Sequence, residues 1–285
     1  MSKLAAFFKS ARFVEVAIML GFPVIGLIFA FDEPEQLFSP EPFLFVVGIF
    51  ALFTAIYACN GLCGADEDTE NERLAGLRGR KRSFVVTLLI SLIVSFACFL
   101  GINPLLLGMA ALSMALWTLY SFPKIGFKYR PLLGTFLHFA GEILHFLMGY
   151  IVIREIDAGA VLASVYFALL FAAGHLNHEL IDYDSDRKTG IKTGAVTFGK
   201  RKWEILSLAA ASVSTLYLVV LLLTGAVPKA AAFFAAAGVC HVVFRLLRFG
   251  LEPAQQKYLA ERRFYRAAYF AAGVMFILVK VINYG

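Results

Sequence analysis

The densest run of reactive side chains is Asn177-His178-Glu179-Leu180-Ile181-Asp182-Tyr183-Asp184-Ser185-Asp186-Arg187-Lys188. His178, Asp182 and Asp186 recur every fourth residue, so on a helix they share one face, one turn apart. Carboxylates in such an array repel one another unless a cation lies between them. Hard oxygen ligands favour magnesium, which keeps several waters and is held by a few carboxylates together with substrate phosphates. Arg187 and Lys188 follow at once and could meet phosphate oxygens. A merely solvated acidic helix end would need no ligand. Acids at the C-terminal end of a helix oppose its dipole, however, and a bound cation is the economical compensation.

A second group lies inside apolar sequence. His138, Glu142 and His145 fall at i, i+4 and i+7, one stripe of a helix, and His175 and His178 lie on the next apolar stretch. Ionisable groups within a membrane are costly and point to function. The stripe reads either as a polar pocket that binds an acceptor or removes a proton, or as a structural hydrogen-bond network of the kind buried polar groups form anyway. Glu142 and His145 have the Glu-x-x-His form of di-iron bundles, but no second such helix is present. The cysteines (Cys59, Cys63, Cys98, Cys240) all lie in or at the ends of apolar segments. Cys59 and Cys63 are one helical turn apart rather than a Cys-x-x-Cys, which suits small membrane residues better than a redox or metal pair.

These groups need elements to hold them. Of 285 residues, 60% are hydrophobic and 16% charged, against about 25% charged in a soluble chain. A membrane span needs about 20 apolar residues, and nine stretches qualify: roughly 12–31, 42–63, 84–101, 104–122, 132–153, 159–181, 204–224, 228–247 and 264–282. Asn103-Pro104 marks a tight hairpin between the third and fourth. The first stretch lacks a small-residue cleavage site and reads as a retained span. With the N-terminus inside, all 26 Lys and Arg except Arg154, Lys229 and Lys280 fall on the inner face, while the first outer loop carries Asp32, Glu33, Glu35 and Glu41. This asymmetry places the N-terminus in the cytoplasm and the C-terminus outside. The inner loops are also the long ones, so function belongs on that face. Dispersal of the basic residues through short loops excludes a nucleic-acid partner despite the net charge of +6. The expectation is an all-α bundle of nine transmembrane helices, one domain over residues 1–285, in a lipid bilayer.

The segment from Asn177 through Thr193 to Val196-Thr197-Phe198-Gly199 resembles the second aspartate motif of the UbiA superfamily of intramembrane prenyltransferases. That motif reads DxxxDxxxD, followed by a basic residue and a Gly-x-[Lys/Arg]-Thr run. Asp182 and Asp186 match its second and third aspartates, and His178 stands at the first. Tyr120-Ser121-Phe122-Pro123-Lys124 resembles the family's YxxxK motif, with Lys128 and Arg130 beyond it. After the second span the family carries NDxxDxxxD. Here Asn60 and Asp68 match, Gly61 and Gly64 replace two aspartates, and Asp66, Glu67, Glu70 and Glu72 are nearby acids.

The resemblance covers essentially the whole chain and implies a UbiA-like fold in the bacterial inner membrane, with the active site on the cytoplasmic side. It implies Mg2+ held by Asn60, Asp68, Asp182, Asp186 and, if the helix end unwinds, Asp66. Tyr120, Lys124, Lys128, Arg73, Arg187 and Lys188 would hold the diphosphate. Asp182, Asp186, Lys124 and Tyr120 would carry catalysis. On their spacing alone, His138, Glu142, His145 and His178 are the candidates for an acceptor pocket. The implied reaction ionises a polyprenyl diphosphate and passes the isoprenoid to a small, aromatic acceptor. The other readings are a membrane terpene cyclase using the same cation and a non-catalytic binder of lipid diphosphates.

Overall fold

The computed structural model describes residues 13–64, 81–122, 126–127, 130–249 and 254–282, and these are helical with no strand among them. The helices are α1 (Phe13–Met19), α2 (Gly21–Ala30), α3 (Pro40–Gly64), α4 (Lys81–Leu100), α5 (Pro104–Ser121), α6 (Leu133–Tyr150), α7 (Ala158–Thr189), α8 (Gly194–Phe198), α9 (Lys200–Leu223), α10 (Ala232–Arg248) and α11 (Gln255–Ile282). Among the described residues, eight helical stretches are long and apolar enough to cross a membrane, with α1 and α2 forming one of them. Pro23, in the first turn of α2, has no N–H to donate to the preceding turn, which accounts for the break at Leu20. α6, which corresponds to the fifth expected span, is not among those eight, and three ionisable side chains, His138, Glu142 and His145, lie on it.

Most helix limits follow the apolar stretches. Two run further. α7 continues through the whole acidic segment to Thr189, and α11 begins at Gln255, so Lys257, Glu261 and Arg262 lie on a helix instead of in a loop. In α11 the cause is pairing: Lys257 and Glu261 are buried against opposite charges, which a hydropathy reading scores as loop.

Contacts divide the chain into two compact units. The first holds α1–α5 and the end of α6 from Leu144. Its core is Phe45, Ile49, Leu52, Phe53, Phe99, Leu106 and Met148. Two glycines let backbones touch there. A Cβ on Gly149 would lie 1.8 Å from the Pro23 carbonyl oxygen, and one on Gly26 would lie 2.0 Å from that of Phe146. Asn103 caps α5, accepting the Leu105 N–H at 2.9 Å, with Pro104 in the first turn, as the hairpin expectation required. The outward side of α4 exposes Leu89, Ile90 and Ile93, a face that lipid can cover.

The second unit holds the start of α6 and α7–α11. Asp157 opens α7 by accepting the Ala160 N–H at 2.7 Å. Leu176, Leu180, Ile181, Ala195, Trp203 and Tyr258 form an apolar cluster directly beneath the acidic turns of α7.

Candidate functional site

The acidic segment is helical to its end because its terminus is well capped. Gly190 adopts the left-handed conformation (φ 75°) and its N–H donates to the Asp186 carbonyl. The Ile191 N–H reaches the same oxygen at 2.9 Å. Thr189 Oγ1 donates to the Ser185 carbonyl at 3.0 Å. A residue with a Cβ is disfavoured at Gly190, which fits the glycine of the motif.

His178, Asp182 and Asp186 therefore lie on consecutive turns of one face, as their spacing predicts. His178 Nδ1 is 3.2 Å from Asp182 Oδ2, and both side chains are about half exposed (43% and 49%). The two other acids of the segment pair with groups from beyond α7. Lys200 Nζ donates to both carboxylate oxygens of Asp184, at 3.2 and 3.3 Å, and lies 4.5 Å above the Tyr183 ring. Glu179 is buried, and its Oε2 accepts the Ala195 N–H at 3.1 Å. Of four carboxylates in eight residues, geometry sets Asp182 and Asp186 apart as the pair on the His178 face. Arg187 and Lys188 are exposed in the last turn.

α7 is held at this level by α11. Asn177 Nδ2 donates to the Tyr258 carbonyl at 3.2 Å, and Gln255 Nε2 donates to that of Ile181 at 3.1 Å. Deeper in the same unit lies a charged cluster that sequence reasoning missed. Arg245 donates to Glu261, to Ser207 Oγ at 2.9 Å and to the Glu204 carbonyl at 3.1 Å. Lys257 and Arg201 both pair with the Glu204 carboxylate. His241 Nε2 is 3.2 Å from Glu261. The sequence counted Arg245 and Lys257 among the inner-loop charges. They are 3% and 8% exposed instead. The available signal was their i, i+4 spacing from His241 and Glu261.

The histidine stripe of α6 divides. His138 donates from Nδ1 to the Gly134 carbonyl at 2.8 Å and stacks on His175, ring centroids 3.9 Å apart, with Phe171 on its other contact at 5.6 Å. His145 belongs to the first unit. Its Nε2 is 2.9 Å from Ser113 Oγ, with the Phe53 ring edge-on at 4.8 Å and Trp117 stacked at 6.3 Å. Glu142 is fully buried.

In the first unit Asn60 lies on the last turns of α3, which continue as helix through Gly61 and Gly64. Cys59 Sγ is 3.8 Å from Thr118 Oγ1, which ties this end of α3 to α5. Tyr120 is half-buried at the end of α5, edge-on to Trp117 at 5.5 Å. Asp66, Asp68, Arg73, Lys124 and Lys128 lie outside the described residues. Among the described residues no three His, Cys, Asp or Glu side chains are grouped closely enough to hold a metal by themselves. The partly exposed carboxylates of Asp182 and Asp186, hard oxygen donors one turn apart, do fit a magnesium ion that takes its remaining ligands from phosphate and water.

A helical chain with these apolar spans and a carboxylate face at the end of one of them is an integral membrane protein of the intramembrane-enzyme type. It matches the UbiA prenyltransferase family over residues 19–272 and belongs to that family. The chain is 27% identical over 256 residues to a 4-hydroxybenzoate octaprenyltransferase of Aeromonas hydrophila subsp. hydrophila, covering 85% of this chain and 83% of that one. Its fold is shared with a digeranylgeranylglyceryl phosphate synthase (TM-score 0.74, 16% identity, 99% of each chain). It is also shared with a UbiA homologue of Archaeoglobus fulgidus bound to GPP and Mg2+ (TM-score 0.74, 18% identity, 95% of this chain and 99% of that one). The protein is thus a membrane prenyltransferase of the UbiA family, as the motifs implied.

Proposed function

We propose that the protein transfers an isoprenoid chain from a polyprenyl diphosphate to a small aromatic acceptor, in a Mg2+-dependent reaction on the cytoplasmic side of a bacterial inner membrane. The observation that carries this reading is that Asp182 and Asp186, both partly exposed, lie one turn apart on the face of α7 that His178 shares. The relative named as a 4-hydroxybenzoate octaprenyltransferase supports an aromatic acceptor and a long chain. The homologue bound to GPP and Mg2+ supports the diphosphate and the metal.

The reaction breaks the allylic C–O bond, leaves negative charge on the departing diphosphate, and joins the cationic carbon to the acceptor, which loses a proton. Magnesium, when bound, neutralises developing charge on the diphosphate oxygens. Asp182 and Asp186 would hold that ion, and His178, 3.2 Å from Asp182, would orient its carboxylate. Asn60, Asp68 and Asp66 are assigned as further metal ligands on the sequence resemblance alone. Arg187 and Lys188 follow in the last turn of α7, and they, Tyr120, Lys124, Lys128 and Arg73 are assigned to the diphosphate on the sequence reading alone, as cations and a hydroxyl that would stabilise the leaving group. His138, Glu142, His145 and His178 are assigned to the acceptor side on the sequence reading alone, where an imidazole could take the displaced proton.

Detergent-solubilised protein, supplied with labelled geranylgeranyl or longer diphosphate, magnesium and 4-hydroxybenzoate, tests the reading. Asp182→Ala and Asp186→Ala are each expected to cut diphosphate release by about 100-fold or more, the scale of a lost electrostatic catalytic group. Unchanged release in both variants would falsify the proposal. A cyclic terpene formed without acceptor would replace transfer with cyclisation.

A further inference from the structure

Glu179 lies in the middle of the aspartate motif, yet it faces the protein. It is 9% exposed and its carboxylate makes two contacts. Oε2 accepts the Ala195 N–H at 3.1 Å, and Oε1 is 3.2 Å from His175 Nε2, whose ring stacks on His138. Ala195 lies in the first turn of the short helix α8, so Glu179 ties α8 back onto α7. Trp203 completes the anchor. It is 2% exposed, stacks on Phe198 at 5.7 Å, and leaves no room at Gly194, where a Cβ would lie 2.1 Å from its ring.

The segment between the two anchors, residues 190–193, is Gly-Ile-Lys-Thr. One end is bound to the Asp186 carbonyl through the N–H groups of Gly190 and Ile191. The other end is bound at Ala195 to Glu179. Seven residues of helix separate Glu179 from Asp186, about 10 Å of rise. The strap therefore doubles back along α7 over the height that carries Asp182 and Asp186. Lys192 is its exposed cation. A buried carboxylate is costly to place in an apolar cluster. Fixing a backbone loop that carries a cation at the height of Asp182 and Asp186 gives that cost a purpose.

We propose that Glu179 is a positioning residue for the prenyl diphosphate: it acts through the 190–193 strap, holding Lys192 at the level of Asp182 and Asp186. The inference rests on the diphosphate reading of the same face. The experiment is a double-mutant cycle on the full chain in detergent, reading KM for geranylgeranyl diphosphate, KM for 4-hydroxybenzoate and kcat for Glu179→Ala, Lys192→Ala and the double variant.

Glu179→Ala and Lys192→Ala are each expected to raise KM for the diphosphate about tenfold, the size of one charge-assisted hydrogen bond. KM for the acceptor should stay within about twofold. The double variant should be no worse than Lys192→Ala, because a residue acting through another is non-additive with it. Glu179→Gln, which keeps an accepting oxygen, should restore most of the loss. Trypsin should cut faster after Lys192 in Glu179→Ala, and this should not occur in Glu179→Gln. If Glu179→Ala does not fold, Glu179→Met, apolar and of similar length, takes its place in the cycle. Multiplicative effects, an unchanged diphosphate KM, or equal rises in both KM values overturn the proposal. A wild type that turns over while the variants keep their KM sinks this inference alone, whereas a wild type that releases no diphosphate sinks the diphosphate reading with it.

Discussion

Asp182, Asp184 and Glu179 are chemically near-identical and lie within six residues, yet their environments give them different work. Asp182 is half exposed beside His178 on the face shared with Asp186. Asp184 is 67% exposed and engaged by Lys200. Glu179 is buried against Ala195. The difference yields a direct contrast. Asp184→Asn should leave prenyl transfer within about twofold and the melting temperature nearly unchanged, because an exposed ion pair contributes little. Asp182→Asn should abolish most turnover without unfolding the protein, read by activity and by thermal unfolding of the same samples. The face of His178, Asp182 and Asp186 was legible from i, i+4 spacing. The uses of Asp184 and Glu179 were not, because their partners Lys200 and Ala195 are 16 residues on, beyond a turn whose path no local pattern fixes.

At the scale of elements, α9, α10 and α11 are joined by buried charges as well as by apolar packing. Arg245 bridges Glu261, Ser207 and the Glu204 carbonyl, and Lys257 pairs with Glu204. Removing one partner leaves the other charge buried and uncompensated. Arg245→Met is expected to destabilise the protein by about 3–5 kcal/mol, and Arg245→Met with Glu261→Met should recover part of that loss. Thermal unfolding in detergent reads both. The close helix contact at the other unit gives a second test. Gly149→Ala should lower the melting temperature strongly, since its Cβ would meet the Pro23 carbonyl oxygen at 1.8 Å. Gly21→Ala meets nothing within 4 Å and should be tolerated. Apolar stretches of about 20 residues gave the helices and most of their limits. They could not reveal that α11 begins at Gln255, because charges that pair in the interior look like loop charges in a hydropathy profile.

For the whole molecule, the distribution of Lys and Arg sets the orientation proposed above. In a cysteine-free background, Lys229→Cys is expected to react with a membrane-impermeant maleimide from outside the cell, and Arg187→Cys only after permeabilisation. The reverse pattern would invert the topology and move the aspartate face to the outer side.

Membrane class, the all-helical fold and the acidic face were determined by the sequence itself. They depend on composition, on runs of apolar residues and on a four-residue period, all of which are properties of neighbours along the chain. Tertiary structure alone decided that Asp184 pairs with Lys200 and Glu179 with Ala195, where the histidines of α6 find partners, and which basic residues leave the surface. Each of those outcomes depends on groups brought together from separate helices, and a buried charge is stable only where its partner is already in place.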